Sequence, residues 1–319
     1  YEREVPGAFG ETMRNRARYL IFFQYIGTRY NGAVKVPPQQ LKKKGVQDHL
    51  EDAIRKLRPL NPVSLSISSR TDTGVHALSN SAHFDLQRKN DKPPFTEDVL
   101  VSALNFHLKT EQISFSFVTL PGSPMPTECL MTSMPVTVPT SRTYVYRIAL
   151  GIPHYCLLPL TDCDLCWNLH NTELDMGAMR EATALLVGTH DFSSFRAINS
   201  DLPFKNPVKT LDVVCIQPGN SFVQAHFHRW VSVFLFRQIP FWELTFTGRS
   251  FLYKQVRRMT GALVAVGQGR LSVPQLNEIL EARDSRAYPQ GLVAPAHGLF
   301  LTRVEYRQAG EEAELNPSN

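Results

Sequence analysis

Apolar positions in the first third of the chain switch between strand-like runs and helical spacing. Arg18–Tyr25 is a run of apolar and aromatic residues of strand length, and Gly27 ends it. One face of a helix follows, marked by apolar residues at Val46, Leu50, Ala53, Ile54 and Leu57. The pattern then predicts strands at Val63–Ser68 and Ser79–Leu86, a helix with Leu100, Ala103, Leu104 and Leu108 on one side, and a strand at Ile113–Thr119.

The second half of the chain repeats this mixture of strands and helices. Strands are predicted at Arg142–Leu150, Leu211–Ile216, Phe241–Thr247 and Leu299–Tyr306. Helices are predicted around Met176–Leu186, after Ser250 with Leu252, Val256, Met259 and Leu263 on one face, and at Pro274–Glu281. Two consecutive units of this kind predict an α+β protein with an active-site cleft between its halves.

A proline-rich stretch separates the two halves. Pro121–Pro139 holds five prolines, so we assign a connection to residues 121–140. The predicted subdomains are residues 16–120, which include the loop around Asp72, and residues 141–307. Residues 1–15 are interpreted as an extension or tag remnant, and residues 308–319 as a tail.

Composition places the chain among folded proteins that tolerate a polyanion. Of its 319 residues, 43% are hydrophobic and 20% charged, and Lys+Arg (34) exceeds Asp+Glu (29). This charge balance permits nucleic-acid binding without demonstrating it. The most apolar stretches, Tyr19–Ile26 and Trp230–Phe236, are much shorter than the roughly 20 residues that span a bilayer, so no membrane association is predicted.

Cysteine usage and the basic start of the chain bear on its compartment. The five cysteines are odd in number and scattered, and no apolar secretory signal is visible, which favours a reducing compartment. Arg14, Arg16 and Arg18 fit either a short mitochondrial import signal or an RNA contact. We therefore predict a mitochondrial or cytoplasmic location, with the mitochondrion slightly preferred.

Three segments combine residue types that carry chemistry. Ser69–His76 places Asp72 in a tight loop, two residues after Arg70 and two before Gly74; without further context an Asx turn with a surface ion pair explains it equally well. Ser141–Arg147 puts Tyr144 and Tyr146 on one strand face, the pattern of ordinary packed aromatics. Ser250–Met259 carries Lys254, Arg257 and Arg258 opposite its apolar side, as a solvated basic helix would.

Together these segments resemble the TruA family of tRNA pseudouridine synthases, and in particular its animal tRNA pseudouridine synthase-like branch. Gly188–Arg196 and Ala294–Leu299 are similar to two weaker family motifs, and the resemblance extends from about Arg16 to Tyr306. It implies the pseudouridine synthase fold, with two α/β subdomains, a largely antiparallel mixed sheet and a central active-site cleft. The implied activity is isomerisation of uridine to pseudouridine in RNA.

The resemblance also implies roles for individual residues. The implied catalytic set is Asp72, Arg70, Tyr144 and Arg257. The implied substrate-binding set is Tyr144, His76, Lys254, Arg258, Arg142 and Phe195. The reaction moves the ribose from N1 to C5 of uracil without redox change, so neither a cofactor nor a metal is expected. Whether Asp72 attacks the base or the ribose stays open, as does the target uridine.

Departures from the family pattern concern the grip on RNA. Asn31-Gly32 is followed by Ala33-Val34-Lys35 instead of tryptophan and glutamine, and residues 126–140 contain no arginine. Residues 220–238, rich in Phe, Trp and His, look like an insertion. The expected partner is RNA, with tRNA favoured over mRNA, and the family's frequent dimerisation is compatible with a homodimer.

Two alternatives belong to other classes of protein. A non-catalytic RNA-binding protein on a synthase scaffold would account for the altered RNA-holding elements. A zinc module would use His154, Cys156, Cys163 and Cys166, although structural zinc sites usually show two well-spaced pairs of ligands.

Overall fold

A computed structural model describes residues 16–36, 43–90, 92–119, 139–151, 158, 162–170, 173–199, 205–221 and 239–306. The chain forms two compact units, each built from separate stretches of sequence. We call Tyr1–Thr71, Ala77–Pro139 and Tyr306–Asn319 the N-terminal unit, and Asp72–His76 with Thr140–Glu305 the C-terminal unit. Residues Asp72–His76 therefore belong to the C-terminal unit, whereas the sequence placed the loop around Asp72 in the first subdomain.

The N-terminal unit contains the predicted alternation of strands and helices. Its elements are β1 (Arg16–Tyr25), α1 (Val46–Lys56), β2 (Leu65–Ile67), β3 (His76–Gln87, whose first residue lies in the other unit), α2 (Glu97–Leu108) and β4 (Ile113–Thr119). The strand order is β4-β1-β3, antiparallel throughout, and β2 pairs with β3. Strands β1 and β3 exceed their predicted bounds because their ladder continues to the pair Arg16↔Gln87.

Hydrophobic burial explains why these elements form. The predicted face of α1 is fully buried at Val46, Leu50 and Ile54. Every residue from Tyr19 to Phe23 in β1 is buried, as in a strand covered on both faces. Near its start, β1 instead presents two partly exposed arginines to solvent.

Those two arginines have a protein partner. Arg16 and Arg18 pair with the carboxylate of Asp85 at 2.9 and 2.7 Å. They lie in a regular strand of the folded unit, and Arg14 lies outside the described residues. Arg16 and Arg18 therefore form ion pairs within the folded unit, a role that the import-signal interpretation did not include.

The C-terminal unit carries the second set of elements. They are β5 (Pro139–Leu150), β6 (Trp167–Leu169), α3 (Met176–Leu186), β7 (Gly188–Asp191), β8 (Val208–Gly219), β9 (Phe241–Gly248), α4 (Gln255–Gly267), α5 (Val273–Glu281) and β10 (Leu299–Tyr306). The strand order is β10-β5-β9-β8-β7, and β6 pairs with β5 in parallel. Helix α3 packs against α4 and β8, so one layer of helices covers this sheet.

Helix α4 starts later than its apolar spacing predicts. The predicted helix followed Ser250 and included Leu252, but the observed helix begins at Gln255. Lys254 adopts left-handed backbone angles with φ 56°, and the Gln255 side chain accepts a hydrogen bond from the Leu252 N–H at 2.8 Å. A left-handed residue cannot continue a right-handed helix, so residues 250–254 form a loop.

The α+β class and the largely antiparallel strand pairing are confirmed within each unit. A cleft between the halves stays a prediction. The extension, the tail and nearly all of the predicted connection and of residues 220–238 lie outside the described residues. Within the described part of the chain, no helix has the length and apolarity needed to cross a membrane.

Candidate active site

Residues 69–76, here called the aspartate loop, make a tight turn in front of β3. The Val75 N–H donates to the Asp72 carbonyl at 3.1 Å, which closes the turn. Gly74 has φ 81°, in the left-handed region, and a Cβ there would lie 3.3 Å from Cβ of Ala296. Glycine is therefore favoured both by backbone angle and by space, as its position after the aspartate predicted.

The residues before Asp72 are fixed inside the N-terminal unit. Thr71 Oγ1 lies 2.7 Å from the Tyr25 hydroxyl, and the Thr71 carbonyl accepts from the Ala33 N–H at 3.1 Å. Asn80 Nδ2 donates to the Ser69 carbonyl at 3.0 Å. Sequence reasoning missed these contacts because Tyr25 and Asn80 lie in strands and read as ordinary core positions. The only available signal is that both are polar groups within apolar strands.

Asp72 and Arg257 form the ion pair at the centre of the site. Arg257 Nη1 lies 3.5 Å from Asp72 Oδ2, and the two side chains are 15% and 20% exposed, respectively. Arg257 Nε donates to the Ala294 carbonyl at 2.8 Å, and the Ala294 N–H donates to the Arg257 carbonyl at 3.1 Å. The guanidinium is thus held in place by backbone before any substrate arrives, and two residues of the implied catalytic set are in contact.

Burial and charge act on the Asp72 carboxyl in opposite directions. Burial raises the pKa of Asp72 above its ordinary value, because the charged form loses solvation. The positive charges of Arg257 and then Lys254 lower that pKa in part, and the hydrogen bond from Arg257 adds to this. The result is a partly desolvated carboxylate whose ionisation depends on its cationic neighbours, a common arrangement for catalytic groups.

Lys254 lies close enough to act on this carboxylate. Its left-handed backbone places it immediately before α4, and its Nζ lies 5.1 Å from the ring centroid of Tyr253. It is partly exposed. Lys254 therefore combines an electrostatic effect on Asp72 with access to solvent, which suits a group that also meets a phosphate.

Tyr144 and Tyr146 project from β5 on one face, as their spacing predicted. Tyr144 is 8% exposed and stands edge-on to Phe251, with ring centroids 5.1 Å apart. Tyr146 is fully buried, and its hydroxyl donates to the Pro295 carbonyl at 2.8 Å. The ring of Tyr146 fills the space above Gly298, where a Cβ would lie 2.7 Å from Tyr146 Cζ. Tyr146 is accordingly a core residue.

Two predicted arginines have different surroundings. Arg70 is exposed and belongs to the N-terminal unit. Arg142 Nη1 donates to the carbonyl of Arg249, just beyond the end of β9. Arg142 thus stabilises the end of the β5–β9 pair. The observed ion pair with Asp72 is formed by Arg257.

The remaining predicted substrate contacts are buried or engaged with protein. His76 is fully buried, with its Nε2 3.0 Å from the His297 carbonyl and its ring stacked on Phe300. Phe195 is fully buried against Phe192. Arg258 Nη1 donates to two backbone carbonyls, as set out below. The structure therefore places these three side chains in the framework of the C-terminal unit, because their contacts are internal.

Buried His76 has an altered titration. Burial lowers the pKa of His76 to about 4, because the charged imidazolium would lose solvation. The ring is consequently neutral at neutral pH, and its stacking on Phe300 supports the end of the aspartate loop. Sequence reasoning did not find Phe300, which lies far along the chain in β10.

Half of the alternative zinc site can be described. Cys166 is buried, its Sγ lies 3.5 Å from the Asp162 carbonyl, and burial raises the pKa of its thiol to about 12. His154 and Cys156 lie outside the described residues. Among the residues that are described, no group of three or more His, Cys, Asp or Glu side chains is arranged to hold a metal ion.

Comparison with known proteins identifies the family. Residues 182–307 match the family model described as tRNA pseudouridine synthase. The chain is 46% identical over 309 residues to tRNA pseudouridine synthase-like 1 of Xenopus laevis, covering 95% of this chain and 94% of that protein. The human protein of the same name is 45% identical over 295 residues, with 92% of each chain covered.

Bacterial relatives extend the comparison. The tRNA pseudouridine synthase A of Caulobacter sp. (strain K31) is 34% identical over 293 residues, covering 92% of this chain and 99% of that protein. These similarities run along nearly the whole chain and include both units. The chain therefore belongs to the TruA-type family of tRNA pseudouridine synthases.

Proposed function

We propose that this chain isomerises uridine to pseudouridine in tRNA, with the ionised carboxylate of Asp72 as its catalytic group. The observation that carries the proposal is the Asp72–Arg257 pair, in which a desolvated carboxylate lies 3.5 Å from a guanidinium that backbone atoms hold in place. Family membership supplies the reaction class, and this pair supplies a group able to perform it.

The reaction requires an exchange of bonds, an ionised carboxylate and a target base that has left its stack. The bond between uracil N1 and ribose C1′ breaks, the base turns, and a bond forms between C5 and C1′, with the C5 proton lost and a proton gained at N1. A carboxylate can serve as nucleophile or can stabilise the separated base and ribose, and both routes need its ionised form. Arg257 and Lys254 favour that form by charge. The target base must also leave its stack to reach the carboxylate.

Tyr144 is the aromatic group that we assign to the flipped base. It retains a small exposed area, and Phe251 holds its ring edge-on, so the ring is fixed before RNA binds. A fixed aromatic ring that keeps some exposed area can orient uracil by stacking. Tyr144→Phe should keep this stacking, whereas Tyr144→Ala should lose it.

The decisive experiment maps pseudouridine in total tRNA and mRNA after incubation with wild-type protein and with Asp72→Asn. New pseudouridine with wild type alone supports the proposal and identifies the target uridine. RNA that binds without forming pseudouridine in either reaction would instead indicate the non-catalytic RNA-binding protein. Because Asn has nearly the size of Asp, RNA affinity should be retained in the variant.

Three finer proposals accompany this function. We propose tRNA rather than mRNA as the main substrate, which the same mapping experiment compares directly. We propose a homodimer, which light scattering at micromolar concentration would detect. We propose a mitochondrial location ahead of a cytoplasmic one, and fractionation of cells that express the full protein distinguishes them.

A further inference from the structure

Arg258 is used inside the protein, on the side of α4 next to Arg257. Its Nη1 donates to the carbonyl of Ser194 at 3.1 Å and to the carbonyl of Arg196. Its guanidinium carbon lies 4.3 Å from the ring centroid of Tyr288, whose hydroxyl donates to the Arg258 carbonyl at 2.8 Å. These contacts direct the guanidinium toward the backbone of residues 194–196, so Arg258 holds that segment in place.

The clamped segment is Ser193–Asn199, here called the rim loop. Besides the contacts of Arg258, the Ala197 N–H donates to the Tyr253 carbonyl at 3.0 Å, and Ser194 Oγ accepts from the Asp284 N–H at 3.0 Å. The rim loop is therefore fastened to residues 253–258. That stretch also carries Lys254 and Arg257, the two cations that act on Asp72.

The rim loop exposes a large apolar side chain. Ile198 is 79% exposed, the highest value among the large hydrophobic side chains of the described residues. A single exposed apolar residue is unremarkable on most surfaces. Here it is next to Ala197, whose N–H is tied to Tyr253 in the loop before α4. The structure thus exposes an apolar side chain on a segment that is fastened to the stretch carrying Lys254 and Arg257.

We propose that the rim loop contacts the RNA beside the target uridine, with Ile198 packing against a neighbouring base and Arg258 acting as the positioning residue that holds the loop. The inference rests on the proposed function. When a base leaves its stack it exposes the apolar faces of its neighbours, and an apolar side chain can cover such a face. The expected ligand feature is a nucleobase next to the flipped nucleotide, not a phosphate.

The first test replaces Ile198 and compares a matched position. Ile198→Ser should raise KM and Kd for tRNA about tenfold, since one apolar side chain loses its contact. Its kcat and its melting temperature should remain those of wild type, because the side chain is exposed in the free protein. Val208→Ser is the control: Val208 is 46% exposed, lies in β8 and has no assigned role, so its kinetics should match wild type.

The second test couples the two residues. Arg258→Met removes the donors and the guanidinium that lies over Tyr288 but keeps an unbranched aliphatic side chain, and it should weaken tRNA binding without changing the slope of log Kd against log salt. In a double-mutant cycle, Ile198→Ser should add little to Arg258→Met, because both act through one loop. Arg258→Lys, which retains one charged donor, should recover part of the affinity.

Several results would overturn the proposal. Unchanged KM and Kd in Ile198→Ser would remove the base contact, whatever happens to the Arg258 variants. A salt slope reduced by about one in Arg258→Met would make Arg258 a phosphate contact instead. The proposed function is tested separately by pseudouridine formation in the wild type: a working enzyme with an unaffected Ile198→Ser variant contradicts the rim-loop inference alone.

Discussion

Removing the charge of Arg257 should shift the pH dependence of the reaction in a defined direction. At 3.5 Å the attraction between Arg257 and Asp72 amounts to about 1 kcal/mol in bulk water and about 5 kcal/mol at an effective dielectric constant of about 20. The two side chains are 15% and 20% exposed, and Lys254 keeps part of the positive potential. We therefore expect Arg257→Met to lose about 1–3 kcal/mol of stabilisation of the ionised carboxylate.

The sign follows from the active form of Asp72. Burial already raises the pKa of Asp72, and Arg257 opposes that effect, so loss of Arg257 raises the pKa further. The acid limb of kcat/KM should move to higher pH. On the acidic side of that limb the variant should be slower than wild type by about 5- to 150-fold, the equivalent of about 1–3 kcal/mol. At higher pH the difference should shrink, because the carboxylate is then ionised in both proteins.

The assay is single-turnover release of tritium from tRNA labelled at uracil C5, because this hydrogen leaves when C5 joins the ribose. Rates are measured at each pH for wild type, Arg257→Met and Arg257→Lys, with circular dichroism to confirm folding. Arg257→Lys keeps the charge and loses the planar contact of Nε with the Ala294 carbonyl, so its acid limb should stay near that of wild type.

Two results would refute this electrostatic reasoning. One is a rate for Arg257→Met that is reduced by the same factor at every pH, with no movement of the acid limb. The other is an Arg257→Lys variant whose acid limb moves as far as that of Arg257→Met. Either outcome would mean that Arg257 acts on the RNA or on the fold and not on the ionisation of Asp72.

Three further predictions concern charge and stability. Asp72→Asn should be at least as stable as wild type at neutral pH, because the cost of burying the ionised carboxylate is present above its folded-state pKa and is lost as the pH falls below it. The matched control Asp85→Asn should lose up to about 1 kcal/mol of folding free energy, because the arginines beside Asp85 lower its pKa, and calorimetry compares the two variants. The pKa of His76 is lowered to about 4, so its contribution to folding stability is complete above about pH 6.5 and falls by up to about 3 kcal/mol toward pH 4. In thermal melts the melting temperature of His76→Gln should therefore fall less steeply with decreasing pH than that of wild type. An equally steep fall would contradict this role of His76. Lys254→Gln should weaken tRNA binding and reduce its salt slope by about one, whereas an unchanged slope would mean that Lys254 meets only solvent.

Periodicity was sufficient for most of the fold. The buried face of α1 and the alternation of Tyr144 and Tyr146 on β5 follow from local spacing, so these elements could be assigned, although their bounds were less certain. Strand ends were less predictable, because the ladder between β1 and β3 continues through polar residues such as Arg16. The start of α4 was wrong because the left-handed backbone of Lys254 has no signature in hydrophobic spacing.

The candidate site divides in a similar way between local and long-range information. The resemblance of three separate segments to the family's motifs indicated Asp72, Tyr144 and Arg257. The burial of His76 and the internal contacts of Arg258 could not be read from the chain, because their partners lie far away in sequence. His76 packs on Phe300, and Arg258 binds carbonyls of the rim loop, so residues predicted to meet RNA became part of the framework.

By itself, the sequence determined the class of fold and the family, and through that resemblance it predicted Asp72 as the catalytic carboxylate, because motifs are read from residue types within single segments. Only the tertiary structure decided how Arg257 is held against Asp72, to which unit Asp72 belongs and which arginine donates to backbone carbonyls of the rim loop. The physical reason is that an ion pair and a burial depend on distances between segments. The Ala294 carbonyl, for example, orients the Arg257 side chain toward Asp72, and the sequence alone does not fix that direction.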